Sequence, residues 1–309
     1  MAITRPFLRG VPPIVGASQL LSVEQRRASK LRQNQVVRAL KKAFVIMIAL
    51  QKGGIGKTET TACLAFLFGL AGLRVLVIEL DAQGDCAYSL GVNVNANDVT
   101  VLEVLYYAMQ GYGFRYAVKE SPLIPGVSVI PANWRLTEQI NQFVAFPNRE
   151  YLLARALVDD GLDDDYDVVL LDCPPAFSQA TWWAAAVSHA VEVPLQLHNR
   201  AWRSLPFFES GLNQVINSGV NPNLVLGGLT LTMRQAAARQ SGHLETAARE
   251  EYGDRVYTSI VPFAAKAAEA PLMGKPVVLY DPHSAVSVAY DALAKEMIAR
   301  YCLLDPVAP

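Results

Sequence analysis

The sequence is poor in the residues that would cross-link it or bind a metal without outside help. Its four cysteines (Cys63, Cys86, Cys173 and Cys302) lie far apart and form no CxxC pair. That argues against a disulfide scaffold and for free thiols in a reducing compartment. The four histidines (His189, His198, His243 and His283) show no metal-ligand spacing and read as surface or pocket residues. No apolar run reaches the roughly 18 residues that span a bilayer. The longest, Ala62 to Leu73, stops at Arg74 and reads as a buried helix. With 52% hydrophobic and 18% charged residues in 309, disorder and collagen-like repetition are excluded and a sizeable core is assured. The expectation is a soluble, cytoplasmic chain of one large or two small domains, with no membrane partner.

The formal net charge is only −1, which taken alone argues against a nucleic-acid partner. Its distribution says otherwise. Residues 1–42 carry nine Lys/Arg against the single acid Glu24, while the rest of the chain carries 18 basic and 27 acidic side chains. The sequence therefore divides into a basic extension, residues 1–42, and an acidic body, residues 43–309. Met1–Ala17 is rich in Pro and Gly and reads as irregular. Ser22 with Gln25 three residues on forms a capping box for a following basic helix.

Beyond Lys42, short apolar runs alternate with helix-length stretches. Phe44–Leu50, Val75–Leu80, Val127–Ile130, Val168–Leu171, Val191–Leu197, Leu224–Leu231 and Val256–Val261 read as strands. Most are continuously apolar, as in strands buried on both faces of a parallel sheet. Thr58–Leu70, Arg149–Leu157, Arg203–Ser218 and Gly242–Tyr252 read as helices between them, and Leu293–Leu304 as a closing helix. Strand then helix, repeated without an internal linker, predicts a doubly wound, mostly parallel α/β domain with ligands at the carboxyl ends of its strands.

The chemistry concentrates in Gln51-Lys52-Gly53-Gly54-Ile55-Gly56-Lys57-Thr58, between the first strand and a helix. It follows the phosphate-loop pattern GxxxxGK[ST], with Gln51 in place of the first glycine. Gly53, Gly54 and Gly56 let the backbone curl so that successive N–H groups face an anion, and the helix beginning near Lys57 aims its positive end at phosphate. Lys57 supplies a point charge to the outer phosphates, and the Thr58 hydroxyl is placed to ligate Mg²⁺. Asp172 closes the apolar run Val168–Leu171, where a carboxylate joins the Mg²⁺ shell. Asp167, at the start of that run, points away and reads as a solvated residue. Asp81 follows Val75–Leu80, within reach of the metal or the attacking water; alone it would read as a turn or cap residue.

Lys52 ahead of the double glycine makes the loop resemble the deviant Walker A motif of P-loop NTPases. Together with Gln51, Glu79-Leu80-Asp81-Ala82-Gln83-Gly84 and Asp172-Cys173-Pro174-Pro175, it resembles the ParA family of DNA-partitioning ATPases. Gly228–Met233, Val261-Pro262, Ala268–Pro271, Gly274-Lys275 and Ala289-Tyr290 extend the likeness over roughly residues 43–302. The resemblance implies a Mg²⁺-dependent ATPase, weak without its partner, that cycles between ATP and ADP. ATP would close a homodimer in which Lys52 reaches the partner subunit's phosphates while Lys57 serves its own nucleotide. Asp81 matches the family's catalytic aspartate. Gly53 to Glu59 would line the phosphates, Thr58, Asp81 and Asp172 the metal, and Met233 and Pro262 the adenine. The dimer would bind DNA nonspecifically on the bacterial nucleoid, and a ParB-like centromere-binding protein would stimulate hydrolysis and release.

The sequence departs from the family at Leu50, Glu59, Glu79 and Ala82, where asparagine, threonine, aspartate and proline are usual. Relatives that scaffold iron–sulfur clusters need a CxxC near the carboxyl end, and membrane-bound division regulators end in a basic amphipathic helix; neither is present. Cys63 and Cys86 therefore read as small packing groups, and Cys173 has no base to make it a nucleophile. A related ATPase that positions a protein cargo remains the alternative. For DNA, the candidates in the body are Arg200, Arg203, Arg234, Arg239, Lys266 and Lys275, and in the extension Arg26, Arg27 and Lys30. The extension has three readings: a DNA-binding arm, a helix packed on the partner subunit, or a transit peptide, with the first two preferred.

Overall fold

The computed structural model describes residues 43–304 apart from 111–112, 160 and 236–237, so the basic extension, with Arg26, Arg27 and Lys30, lies outside the described residues. The strands are β1 (Phe44–Ile48), β2 (Val75–Glu79), β3 (Lys119–Glu120), β4 (Val127–Ile130), β5 (Val168–Asp172), β6 (Ala190–Gln196), β7 (Val225–Arg234) and β8 (Val256–Pro262). They form one sheet in the order β3-β4-β2-β5-β1-β6-β7-β8. Every pairing is parallel except that of the two-residue β3 with β4. All residues of β1, β2, β4 and β5 are buried, which is why their sequences show no alternation.

The longer helices are α1 (Lys57–Leu70), α2 (Val101–Ala108), α3 (Leu152–Asp159), α4 (Gln179–Val187), α5 (Leu205–Asn217), α6 (Arg239–Tyr252) and α7 (Ala285–Tyr301). The sheet separates two hydrophobic cores. One lies under α2 to α6 and the other under α1, the short helix Asp85–Ser89 and α7. This is the doubly wound arrangement expected from the sequence.

Several boundaries differ from the sequence reading; α6 starts at Arg239 and α3 at Leu152. The closing helix starts at Ala285, where Ser284 Oγ accepts from Ser287 N (3.2 Å), and stops at Tyr301, because Cys302 turns left-handed with φ 50°. Strand β7 runs on past Leu231 through Thr232, Met233 and Arg234, polar or flexible residues that an apolar-run criterion passes over. The stretch from Arg203 to Ser218 breaks near Ser204, after a short helix Asn199–Trp202. Helix α2 has no counterpart in the sequence reading. Its start is fixed by Thr100, whose hydroxyl accepts from Leu102 N (3.3 Å) and whose own N–H donates to Glu103 (2.8 Å), a cap that contributes about 1 kcal/mol.

Strand β8 is a sheet edge, and α7 covers it: Glu296 accepts hydrogen bonds from Thr258 N and Ser259 N, both at 2.8 Å. Among the described residues no helix is long and apolar enough to cross a membrane.

Candidate functional site

The carboxyl ends of β1, β2, β5 and β7 converge, because β1 sits where the strand order reverses: β5 and β2 lie to one side, β6 and β7 to the other. The loop leaving β1 enters α1 through Gly56, with φ 87°, and Gly54 has φ 70°. Neither torsion suits an L side chain, so the curl that presents successive N–H groups depends on glycine there. Ile55 is fully buried beneath the curl and anchors it. Gly53 is exposed, with Pro175 Cβ 4.0 Å from the position its own Cβ would take.

Lys57 is only 6% exposed, and its Nζ donates to Lys52 O (2.8 Å), so the ammonium lies inside the concavity of the loop. Burial lowers its pKa, while Asp172, Asp81 and Cys173 pull the other way. Asp172, 1% exposed, accepts from Thr58 Oγ1 at 3.0 Å and from Thr61 Oγ1 at 3.2 Å. Burial pushes this carboxyl up to about 7, the Asp81 charge adds to the rise, and Thr58, Lys57 and Thr61 oppose it. A buried carboxylate so short of positive charge beside a threonine hydroxyl suits a divalent cation. Asp81, half-buried, lies just past β2; its Oδ1 accepts from Gln83 N (3.2 Å). The site thus gathers Lys57, Thr58, Asp81 and Asp172 as the motifs suggested. Lys52 is half-buried, and among the described residues its ammonium has no partner.

Glu59 is placed elsewhere. Its carboxylate turns from the loop to accept from Val277 N (2.7 Å) and Cys63 Sγ (3.3 Å), so it fastens α1 to the segment ahead of α7. Met233 and Pro262 stand at the carboxyl ends of β7 and β8. Met233 has φ 52°, a strained torsion of the kind that clusters at functional sites, and its Cε comes within 3.7 Å of where a Cβ would sit on Gly56.

Three contributors were not visible in the sequence. Thr232 Oγ1 donates to Ile55 O (3.1 Å) and ties β7 to the phosphate loop. Thr61 shares Asp172 with Thr58; the threonine-rich run Thr58–Thr61 was its signal. Glu79, noted only as a departure, is fully buried and accepts three backbone hydrogen bonds. Asp167, expected to be merely solvated, pairs with Arg74 (2.8 Å) at the opposite edge of the sheet.

The cysteines near the site are inert. Cys63, Cys86 and Cys173 are buried, and burial pushes each thiol well up. His189 is half-buried and accepts from Val45 N through Nδ1 (2.9 Å), while the exposed His198 caps the helix Asn199–Trp202. Among the described residues no group of three His, Cys, Asp or Glu would hold a metal unaided. That fits Mg²⁺, which uses one or two carboxylates plus substrate phosphates. Of the DNA candidates, Arg200, Arg203, Arg234 and Lys275 are exposed, and Arg234 pairs with Glu245 (3.2 Å). Arg239 opens α6 and Lys266 lies in the turn Ala265–Ala268; the described residues do not include their side-chain placement.

Comparison with known proteins agrees with this geometry. A family model described as "AAA domain" matches residues 43–226. The chain is 36% identical over 256 residues to the chromosome partitioning protein ParA of Caulobacter vibrioides, covering 83% of this chain and 94% of that one. It is 31% identical over 266 residues to the sporulation initiation inhibitor protein Soj of Bacillus subtilis, covering 83% and 98%. Among solved structures, cobyrinic acid a,c-diamide synthase from Mycobacterium smegmatis, with bound ADP and magnesium, superposes with a TM-score of 0.71 at 28% identity over 84% of this chain and 96% of that one. With its lysine-led phosphate loop on a doubly wound sheet, the chain belongs to the ParA/Soj family of chromosome-partitioning P-loop ATPases.

Proposed function

We propose that this chain is a DNA-partitioning switch that hydrolyses ATP to ADP and phosphate and changes its hold on DNA as it does so. Thr58 and Asp172, with Asp81 at the rim, would hold Mg²⁺, which supplies charge neutralisation at the β- and γ-phosphates. The cradle of Gly53 to Gly56 and the Lys57 ammonium bind the phosphates, and Asp81 orients the attacking water. Met233 and Pro262 border the base.

One observation carries the reading: the loop holds two lysines in opposite situations. Lys57 is buried and turned into the loop, and Lys52 is half-buried, its ammonium without a partner among the described residues. One lysine serves the chain's own nucleotide, and the other is available to the nucleotide of a second copy, which makes dimerisation depend on ATP. DNA contact then comes from lysines and arginines brought together by the dimer, among them Arg203 and Lys275, and from residues 1–42, whose charge opposes that of the body. A ParB-like partner would accelerate hydrolysis and release the dimer from the nucleoid.

The test is DNA binding against nucleotide and salt, for the full chain and for the chain lacking residues 1–42. ATP should raise both dimerisation and DNA affinity, with affinity falling steeply in salt. Lys52→Ala should abolish the ATP-driven dimer, and Asp81→Ala should leave a DNA-bound dimer that does not turn over. An ATP-independent DNA affinity and oligomeric state would rule the reading out.

A further inference from the structure

Asp81 lies on a short connection between β2 and the helix Asp85–Ser89, half-buried, with no regular element of its own. What holds this connection in place is the side chain of the residue just before it. Glu79, the last residue of β2, is 0% exposed. Its Oε1 accepts from Cys86 N (2.5 Å) and Ala87 N (3.0 Å), and its Oε2 accepts from Ala132 N (3.0 Å). Its backbone therefore starts the Leu80–Asp85 loop and its carboxylate fastens the loop's far end. The third bond locks both to the chain leaving β4. Within that frame Leu80 N donates to Asp172 O (2.9 Å), and Asp81 is braced locally by Gly84 N on its O (3.3 Å) and Gln83 N on its Oδ1 (3.2 Å), so the loop is tied to the sheet through Glu79 and Asp172.

We propose that Glu79 is a positioning residue for ATP hydrolysis: by closing the Leu80–Asp85 loop on three backbone N–H groups, it sets where the Asp81 carboxylate stands relative to Asp172. The inference rests on the reading of Asp81 as the residue that orients water. Glu79 itself touches neither nucleotide nor water. An amide at this place presents one N–H to a backbone N–H and so loses at least one of the three bonds. The loop then loses its fixed end while the phosphate cradle of α1, built from other residues, keeps its shape. A shift of about 1 Å in a group that acts on the reacting atoms costs on the order of 100-fold in rate.

The experiment measures kcat and KM for MgATP, and affinity for a nonhydrolysable ATP analogue, in the full chain and in Glu79→Gln, Glu79→Asp, Asp81→Ala and the Glu79→Gln/Asp81→Ala double variant. Glu79→Gln should lower kcat at least about tenfold while analogue affinity stays within about threefold, a split a general loss of fold would not give. In the double variant the rate should equal that of Asp81→Ala, because Glu79 acts only through Asp81. Wild-type kcat in Glu79→Gln, beside an inactive Asp81→Ala, overturns the positioning role alone, as do losses that multiply in the double variant. A fully active Asp81→Ala overturns the functional reading beneath it. Should Glu79→Gln fail to fold, Glu79→Asp keeps the carboxyl group but withdraws it by one methylene, and the same split between kcat and affinity decides.

Discussion

The sheet buries two carboxylate clusters that use the same elements to different ends. At the carboxyl edge, Asp172 is surrounded by Thr58, Thr61 and Lys57, with Asp81 beside it, and the loop above them exposes Gly53 and Gly54. Beneath α7, Glu192 of β6 is fully enclosed: Tyr257 Oη donates to its Oε1 at 2.8 Å and Tyr301 Oη donates to the same oxygen. The approach of Tyr301 requires Gly227, since a Cβ there would lie 1.9 Å from the tyrosine oxygen. Arg300 stacks on the Tyr257 ring, 3.9 Å from its centroid, and donates to Gly227 O (2.9 Å). Burial pushes both carboxyls up to about 7. The difference lies in what can relieve them. Asp172 shares its oxygens with the Thr58 hydroxyl at the start of α1, a donor set that suits a divalent cation, whereas Glu192 has only hydroxyls and a neighbouring guanidinium, and among the described residues its Oε2 has no partner. One cluster stores electrostatic need for a ligand to satisfy; the other joins β6, β8 and the last helix.

The contrast is broken most directly at Asp172. Asp172→Asn keeps the shape and removes the charge that would hold Mg²⁺, so ATP turnover should fall by about 100-fold or more. Steady-state kinetics checks this, with Glu192→Gln as the matched change that should leave turnover near wild type. Stability should answer in the reverse order. Glu192→Ala leaves two buried tyrosine hydroxyls without their acceptor and opens a cavity, a loss of about 2–4 kcal/mol. Denaturant unfolding should show it as a lower midpoint. Activity at temperatures where the variant is folded should be unchanged.

The two clusters also make stability depend on pH. Glu192 titrates near 7 in the folded chain against its ordinary 4.5, so across that window the folded state binds more protons than the unfolded state. Its contribution is therefore full below about pH 4.5 and declines as pH rises toward 7, by on the order of 2–3 kcal/mol. Asp172 contributes in the same direction in the absence of metal. Unfolding measured from pH 5 to 8 should show a decline that Glu192→Gln flattens at any Mg²⁺ concentration. Part of the remaining slope should diminish when MgATP is added, because Asp172 then has its cation, while Glu79, which burial pushes up to about 8, keeps its share.

Much of the carboxyl-edge cluster was legible in the sequence because phosphate binding constrains consecutive residues: the glycines, Lys57 and Thr58 have to follow one strand and open one helix. Asp172 and Asp81 were legible because each follows a buried apolar run. The Glu192 cluster was not, since its members come from β6, β8 and α7 and meet only when the sheet and the last helix bring positions 192, 257 and 301 together. Thr232 escaped for the same reason; its partner Ile55 O is 177 residues away in sequence. Glu79 was seen only as an unusual residue, because three backbone donors leave no mark on a sequence. Strand β7 ends at Leu231 in the sequence reading because burial of Thr232 contradicts its polarity until its neighbours are known.

A third carboxylate sets the lower end of the scale. Asp167 sits at the amino edge, opposite the phosphate loop, and pairs with Arg74 at 2.8 Å, but the two side chains are 35% and 47% exposed. Water competes for both charges and salt screens them, so the pair contributes about 0–1 kcal/mol. Asp167 Oδ2 also accepts from Arg74 N (2.9 Å), a bond that asparagine preserves through its carbonyl oxygen. Asp167→Asn should therefore shift the unfolding midpoint by about 1–3 °C at most, less in 1 M salt, and leave turnover untouched. A loss as large as that of Glu192→Ala would mean that enclosure is not what separates the clusters, and the comparison would have to be rebuilt on the number of donors each carboxylate accepts.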